Sequence, residues 1–257
     1  MLQALIFDVD GTLAESEEAH RAAFNAAFAE AGLDWYWDRE LYAQLLKVTG
    51  GKERIRHYLQ QAPRRLGGGG EDWIARLHQR KNALYAAAVR GGAVPLRSGV
   101  RRLISEARHA GLQLAIATTT SEANVRELLE AAELAGHFDC IVAGDAVRAK
   151  KPAPHVYLET LRRLQLPARD CLALEDSELG LRAASAAGIA TVVTLSVYTL
   201  QQDFSGALAV LDQLGEPQQP FRLREGPQAD GVSHVNLDLL RRWHQQASLR
   251  AEAGAVL

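Results

Sequence analysis

Asp8 and Asp10 stand one residue apart where the apolar run Leu5, Ile6 and Phe7 ends, and Gly11 follows them. Those residue types at that spacing suit an aspartate nucleophile. In an extended chain residues i and i+2 point to one side, so both carboxylates face one pocket, while glycine allows a sharp exit. Two like charges so placed invite a cation. One carboxylate can attack an electrophile while the other gives a proton and later activates water. A calcium loop is excluded, because its sixth position needs glycine and its twelfth a bidentate acid, where this chain has Leu13 and Ala19. A polar strand end followed by a turn is the plain alternative, and the rest of the chain decides against it.

The elements that must position this pair are legible as repeats. From residue 95 onward, apolar runs at 112–118, 139–144, 170–175 and 190–195 alternate with stretches whose apolar residues recur at three and four. Each run reads as a strand and each stretch as a helix, which predicts an α/β fold with a parallel sheet covered on both faces. The first strand, residues 1–14 with its nucleophile loop, belongs to the same sheet. Residues 15–92 break the rhythm. Phe24 and Phe28 lie four apart, acids crowd the start at Glu15, Glu17 and Glu18, and Gly32 reads as a stop. We read this span as a helical cap inserted after the first strand, with Gly91, Gly92 and Pro95 marking the return, and Trp35, Tyr36 and Trp37 as cap core. Gly67 to Gly70 reads as a connection between cap helices, since no GK[ST] follows to make it a phosphate loop. Residues 93–214 resume the core. Residues 215–257 read as a loop rich in Pro, Gln and Gly, then a helix with Leu237, Leu240 and Trp243 on the face that docks on the core.

Ligands of open parallel sheets sit outside the carboxyl ends of the strands. Here those ends carry Asp8 and Asp10, then Thr118, Thr119, Thr120 and Ser121, then Lys150 and Lys151, then Glu175 and Asp176. Four strand ends thus supply a nucleophile, hydroxyls, a cation and acids. Asp145 reads as shaping the approach to Lys151, Lys150 as solvated or standing just behind the chemistry, and His20 as a hinge or helix-packing residue.

The bulk properties narrow the partners. With 257 residues and 47% hydrophobic content the chain can bury a sizeable core, and a formal charge of -2 gives no basic field. Nucleic acid is not expected, and an anionic substrate needs a local cluster of cations. No stretch is long enough for a membrane span, and no leader precedes the first strand, so a cytoplasmic location without membrane contact is expected. Cys140 and Cys171 lie in separate apolar runs without metal-ligand spacing and read as reduced core residues.

With DVDGT, a threonine at Thr118, KKPAPHVY and LEDSELG in order, the chain resembles the haloacid dehalogenase superfamily of phosphohydrolases over residues 1 to about 200. The resemblance implies a Rossmann-like core with a helical cap. It makes Asp8 the nucleophile and Asp10 the acid/base, with Thr118 and Lys151 on the transferring phosphoryl group. It also implies a Mg2+ site from Asp8, the backbone carbonyl of Asp10, Glu175 and Asp176. A dehalogenase would have no use for Asp10 or for the pair at 175 and 176. The longer strings DVDGTLAESEEAHRAAFN, DWYWDRELY and TGGKERI are similar to the CbbY-type xylulose-1,5-bisphosphate phosphatases, which remove an inhibitor of ribulose bisphosphate carboxylase in photosynthetic carbon fixation. That likeness implies a phosphorylated sugar as substrate. Its distal phosphate would be held by Gly50, Gly51, Lys52, Arg54, His78 and Lys81, with Glu17, Thr119, Thr120, Ser121 and Asn124 orienting the sugar. The alternatives are a phosphomutase of the beta-phosphoglucomutase type, which shares the cap, the aspartates and the metal pair, and a phosphoglycolate phosphatase. A monomer is expected, since cap and core together already make a complete site.

Overall fold

Strand β1 (Ala4–Phe7) is the centre of the molecule, and all four of its residues are buried. It pairs in parallel with β2 (Gln113–Ala117) on one side and β4 (Cys171–Glu175) on the other. Beyond β2 lies β3 (Cys140–Val142), and beyond β4 lie β5 (Ala190–Thr194), β6 (Ala209–Leu211) and β7 (Leu223–Glu225), giving the order β3-β2-β1-β4-β5-β6-β7. All pairings are parallel except β6 with β7. Successive strands move outward from β1 first one way and then the other, so their carboxyl ends open on a crevice at the point of reversal. The computed structural model describes residues 1–61, 70–229 and 231–254, and the side chains up to 249. The glycines at 67–69 lie outside these residues.

Both faces of the sheet are covered, as its apolar runs require. Leu5, Phe7, Leu114, Ile116, Leu172 and Leu174 point into one cluster with α5 (Val100–His109), α6 (Glu122–Ala131) and α9 (Leu237–Gly254). Ala4, Ile6, Ala115, Ala117 and Ala173 point into the other, against α7 (His155–Leu164) and α8 (Glu178–Ala186). This strict alternation is the two-residue period of the strand, and small residues dominate the second face where helices come close.

Residues 17–61 and 70–90 add helices and no strand: α1 (Glu17–Glu30), α2 (Arg39–Leu45), α3 (Gly51–Gln61) and α4 (Glu71–Arg90). In α1 the buried residues His20, Ala23, Phe24, Ala27 and Phe28 share one face, and Gly32 ends the segment at φ +69°. Phe24, Phe28, Trp35 and Trp37 pack against Tyr42, Ile55, Tyr58 and Leu77 in a core separate from that of the sheet. Its linkers run side by side. The Arg97 backbone N–H donates to the Leu13 carbonyl at 2.9 Å and that of Glu15 to the Pro95 carbonyl at 3.2 Å. The buried Arg97 guanidinium donates to the carbonyls of Gly11, Leu195 and Asp212 and pairs with Glu15. One side chain therefore ties both linkers to the nucleophile loop.

Two expectations need correction. Tyr36 is 67% exposed while Trp35 and Trp37 are buried, because alternate residues of an extended segment face opposite sides. The stretch before the last helix is not all loop, since β7 extends the sheet within it, while α9 buries Leu237, Leu240 and Trp243 in the main core as expected. Three residues, LRE, half or fully exposed, carry no strand pattern of their own, and β7 forms by pairing with β6.

Candidate active site

Asp8 lies immediately after β1, where its backbone still donates to the Leu174 carbonyl of β4 at 3.0 Å. The extended chain thus delivers its carboxylate to the crevice. Lys151 reaches it from the loop before α7: Nζ donates to Asp8 Oδ1 at 2.6 Å, to Glu175 Oε1 at 2.6 Å and to the Ala117 carbonyl at 2.9 Å. Tyr157 donates to the same Glu175 oxygen at 2.5 Å. All of these groups are less than a tenth exposed. Gly11 is required here, since at φ +79° a Cβ would run into the Asp176 carboxylate.

One ammonium does not balance this site. Oxygens of Asp8, Glu175 and Asp176 come within 4.8 Å of one another. Burial pushes Asp8 up to about 8 against the pull of Lys151, and the Glu175 and Asp10 charges add to the rise. Asp176 is pushed well above its ordinary range by burial and by Asp8 and Glu175. A nucleophile must be ionised at neutral pH, so the site lacks a positive charge, and three convergent carboxylate oxygens suit a hard divalent cation such as Mg2+. The Asp10 side chain is not among the three.

Asp10 faces the cap instead. Its Oδ1 accepts from Ser16 Oγ at 2.5 Å and from His20 Nε2 at 3.0 Å. Lys81 Nζ lies 2.7 Å from His20 Nδ1, and since an ionised carboxylate can only accept, the imidazole proton sits on Nε2 and points at Asp10, leaving Nδ1 to accept from Lys81. His20 stacks on Tyr85 with ring centroids 3.8 Å apart. Burial and the Lys81 charge hold His20 below its usual range, so it serves Asp10 as a neutral donor. Burial works against ionisation of Asp10, but these donors and Lys81 outweigh it and hold its carboxyl low.

The crevice and the cap enclose a cavity of about 1210 Å³ whose lining includes Asp8, Asp10, Glu17, Gly50, Gly51, Lys52, Arg54, His78, Lys81, Thr119, Thr120, Ser121, Asn124, Lys151 and Asp176. Thr118 and Glu175 stand behind this wall, Thr118 accepting from the Thr120 N–H at 3.3 Å. The Ser121 hydroxyl accepts from the Asn124 N–H at 3.4 Å as a helix cap, and Asn124 reaches across to Asn82 of the cap at 3.4 Å. At the far end, Gly51 opens α3 against the His78 ring, which a Cβ there would strike. Burial first, and then the nearby Lys81, Lys52 and Lys150, push His78 down to about 3. Lys150, partly exposed, pairs with Glu53 of α3 at 3.0 Å, and Thr49 donates to the Lys151 carbonyl at 2.7 Å. Core and cap meet on both sides of the cavity.

The profile of the haloacid dehalogenase-like hydrolase family matches residues 5–194. The chain belongs to this family. It is 52% identical to the Protein CbbY, plasmid, of Cupriavidus necator over 97% of this chain and 100% of that protein. The crystal structure of CbbY from Rhodobacter sphaeroides in complex with phosphate superposes with a TM-score of 0.79 at 47% identity, covering 83% of this chain and 95% of that one. A mutant of the same protein in complex with xylulose-(1,5)bisphosphate gives 0.77 at 46% identity over the same shares. The CbbY resemblance read from the motifs is thereby shown, and this haloacid dehalogenase-like hydrolase is a phosphatase.

Within this hydrolase the four strand ends meet at the carboxyl end of β1, with β2 and β3 on one side of it and β4 on the other. Two cap residues that line the cavity also have partners within the cap. The Lys81 ammonium points at His20, and the Arg54 guanidinium at Tyr42 and the Leu45 carbonyl. His20 was read as hinge packing, yet it bonds the second motif aspartate. Its partner Lys81 is 61 residues away, and no local pattern connects them. Among the described residues no helix is long and apolar enough to cross a membrane.

Proposed function

We propose that this phosphatase removes one phosphate from a sugar bisphosphate, and that xylulose-1,5-bisphosphate is its substrate and xylulose 5-phosphate its product. The observation that supports the reading is one cavity bordered at the core by Lys151 and the carboxylates that would hold Mg2+, and in the cap by Lys52 and Lys150 near His78. The ligand of the Rhodobacter CbbY mutant is such a bisphosphate, at 46% identity. Removal of an inhibitor of ribulose bisphosphate carboxylase is the physiological role that goes with it.

In this reading Asp8 attacks phosphorus and the bond to the sugar oxygen breaks, leaving the phosphoryl group on Asp8. The leaving alkoxide takes a proton from Asp10. The incoming phosphate dianion raises the affinity of Asp10 for that proton; water then attacks phosphorus while Asp10 takes a proton from it, and the bond to Asp8 breaks to release phosphate, which closes the proton balance. Lys151 holds the equatorial oxygens, with Thr118 beside it. Asp8, Glu175 and Asp176, with the Asp10 carbonyl, would hold Mg2+, which when bound neutralises charge on the transferring group. Seated against the core, the cap excludes bulk water from the acyl phosphate.

The test is inorganic phosphate release with Mg2+ from xylulose-1,5-bisphosphate, ribulose-1,5-bisphosphate, phosphoglycolate and beta-glucose 1-phosphate, with glucose 6-phosphate followed in parallel. Strong preference for the xylulose compound is expected. Glucose 6-phosphate without phosphate release would make the protein a mutase, and preference for phosphoglycolate would remove the bisphosphate assignment.

A further inference from the structure

Tyr42 lies in α2 of the cap, fully buried and outside the four motifs. Its hydroxyl oxygen is 3.3 Å from Arg54 Nη1 and 2.7 Å from Glu17 Oε2. A guanidinium can only donate, so the phenol oxygen accepts from Arg54 and its proton is directed to Glu17. The alignment is held from three sides. The Arg54 guanidinium lies over the Tyr42 ring, 5.2 Å from its centroid, and Arg54 Nε donates to the Leu45 carbonyl at 3.2 Å. Phe24 and Trp37 pack on the ring from within the cap. From the core, the Tyr198 ring meets it edge-on at 5.6 Å. Burial and the Glu17 charge push Tyr42 well above its ordinary range, so it remains a phenol and a donor.

We propose that Tyr42 is a positioning residue for substrate discrimination, fixing the Glu17 carboxylate on the cap wall of the cavity so that its second oxygen faces the hydroxyls of a phosphorylated sugar. This rests on the sugar-phosphate reading above. Glu17 is half-buried at the first turn of α1, and among the described residues its carboxylate accepts one side-chain hydrogen bond, that from Tyr42. A free glutamate would turn to water and lose rotamer freedom each time it bound substrate; a pre-set one has already lost it. Phenylalanine would keep the ring packing and the Arg54 stack but could not orient the carboxylate.

Tyr42→Phe and Glu17→Ala, singly and together, test this on the best sugar phosphate of the wild type and on a small aryl phosphate. Tyr42→Phe is expected to raise KM for the sugar phosphate about tenfold, the weight of one hydrogen bond to a charged group, with kcat and aryl phosphate turnover changed at most about twofold. In the Glu17→Ala background it should add less than about twofold, since it acts through Glu17. A crystal structure of Tyr42→Phe should show the Glu17 carboxylate turned away from its place. Equal losses on both substrates, additive losses in the double variant, or an unmoved Glu17 overturn the proposal. If the wild type prefers no sugar phosphate over the aryl ester, the substrate reading falls, and the crystal structure still decides whether Tyr42 positions Glu17.

Discussion

The two walls of the cavity are built on opposite principles. On the core wall Asp8, Lys151, Glu175 and Asp176 are each less than a tenth exposed and locked by mutual bonds. On the cap wall exposure is mixed: Lys52 is exposed and Glu17 and His78 are half-buried on different helices, while Arg54 and Lys81 are buried. Buried charges act through a low dielectric and do not reorganise, which suits the charge changes of phosphoryl transfer. An exposed charge such as Lys52 is screened and adaptable, which suits recognition of a hydrated sugar phosphate, while Glu17 is held by Tyr42. Chemistry and selectivity are thus divided between a rigid sheet end and a cap joined to it by two linkers.

If that division holds, core substitutions abolish every activity and cap substitutions redistribute it. Asp8→Asn should lower phosphate release by at least about 10⁴-fold on all esters while the melting temperature stays level or rises, because a buried carboxylate among carboxylates is removed; assay and calorimetry check both. Residual turnover above that would take the nucleophile role from Asp8. Lys151→Met leaves Asp8 and Glu175 buried without their ammonium, so activity should be lost on all esters and stability should fall by about 3–5 kcal/mol in urea unfolding. Chelation with EDTA should remove activity, with recovery on added Mg2+, and Asp176→Asn should raise the Mg2+ concentration needed for half-recovery. Lys52→Ala should cut kcat/KM for the bisphosphate about 10- to 100-fold and that for an aryl phosphate less than twofold; equal loss on both would break the division of walls. The smallest effect is expected at Lys150→Ala, whose partly exposed pair with Glu53 contributes at most about 1 kcal/mol, read as a small shift in urea midpoint.

His20 shows where legibility ended. Its place on α1 one turn after Ser16 was visible, and so was its nearness to the first motif, but its role depends on Asp10 turning toward the cap and on Lys81 arriving from α4. The same fact moved Lys81: HQRK reads as a basic cluster facing an anion, yet burial sends that ammonium to His20, over the rings of Phe24 and Tyr85. Tyr42 carried no signal at all, because an aromatic in a helix beside Trp35 and Trp37 reads as packing.

The sequence by itself determined strands β1 to β5, the order of the polar residues at their ends, and the interruption after β1, because two-residue and three-to-four-residue periods and chemically distinct strand ends are local properties of the chain. It also carried the family, through four short motifs in order. Only the tertiary structure decided which way each long side chain on the cap points, that LRE joins the sheet, and that Arg97 binds both linkers to the nucleophile loop. Those outcomes depend on partners tens of residues away, where burial and charge pairing, not local preference, set the lowest free energy.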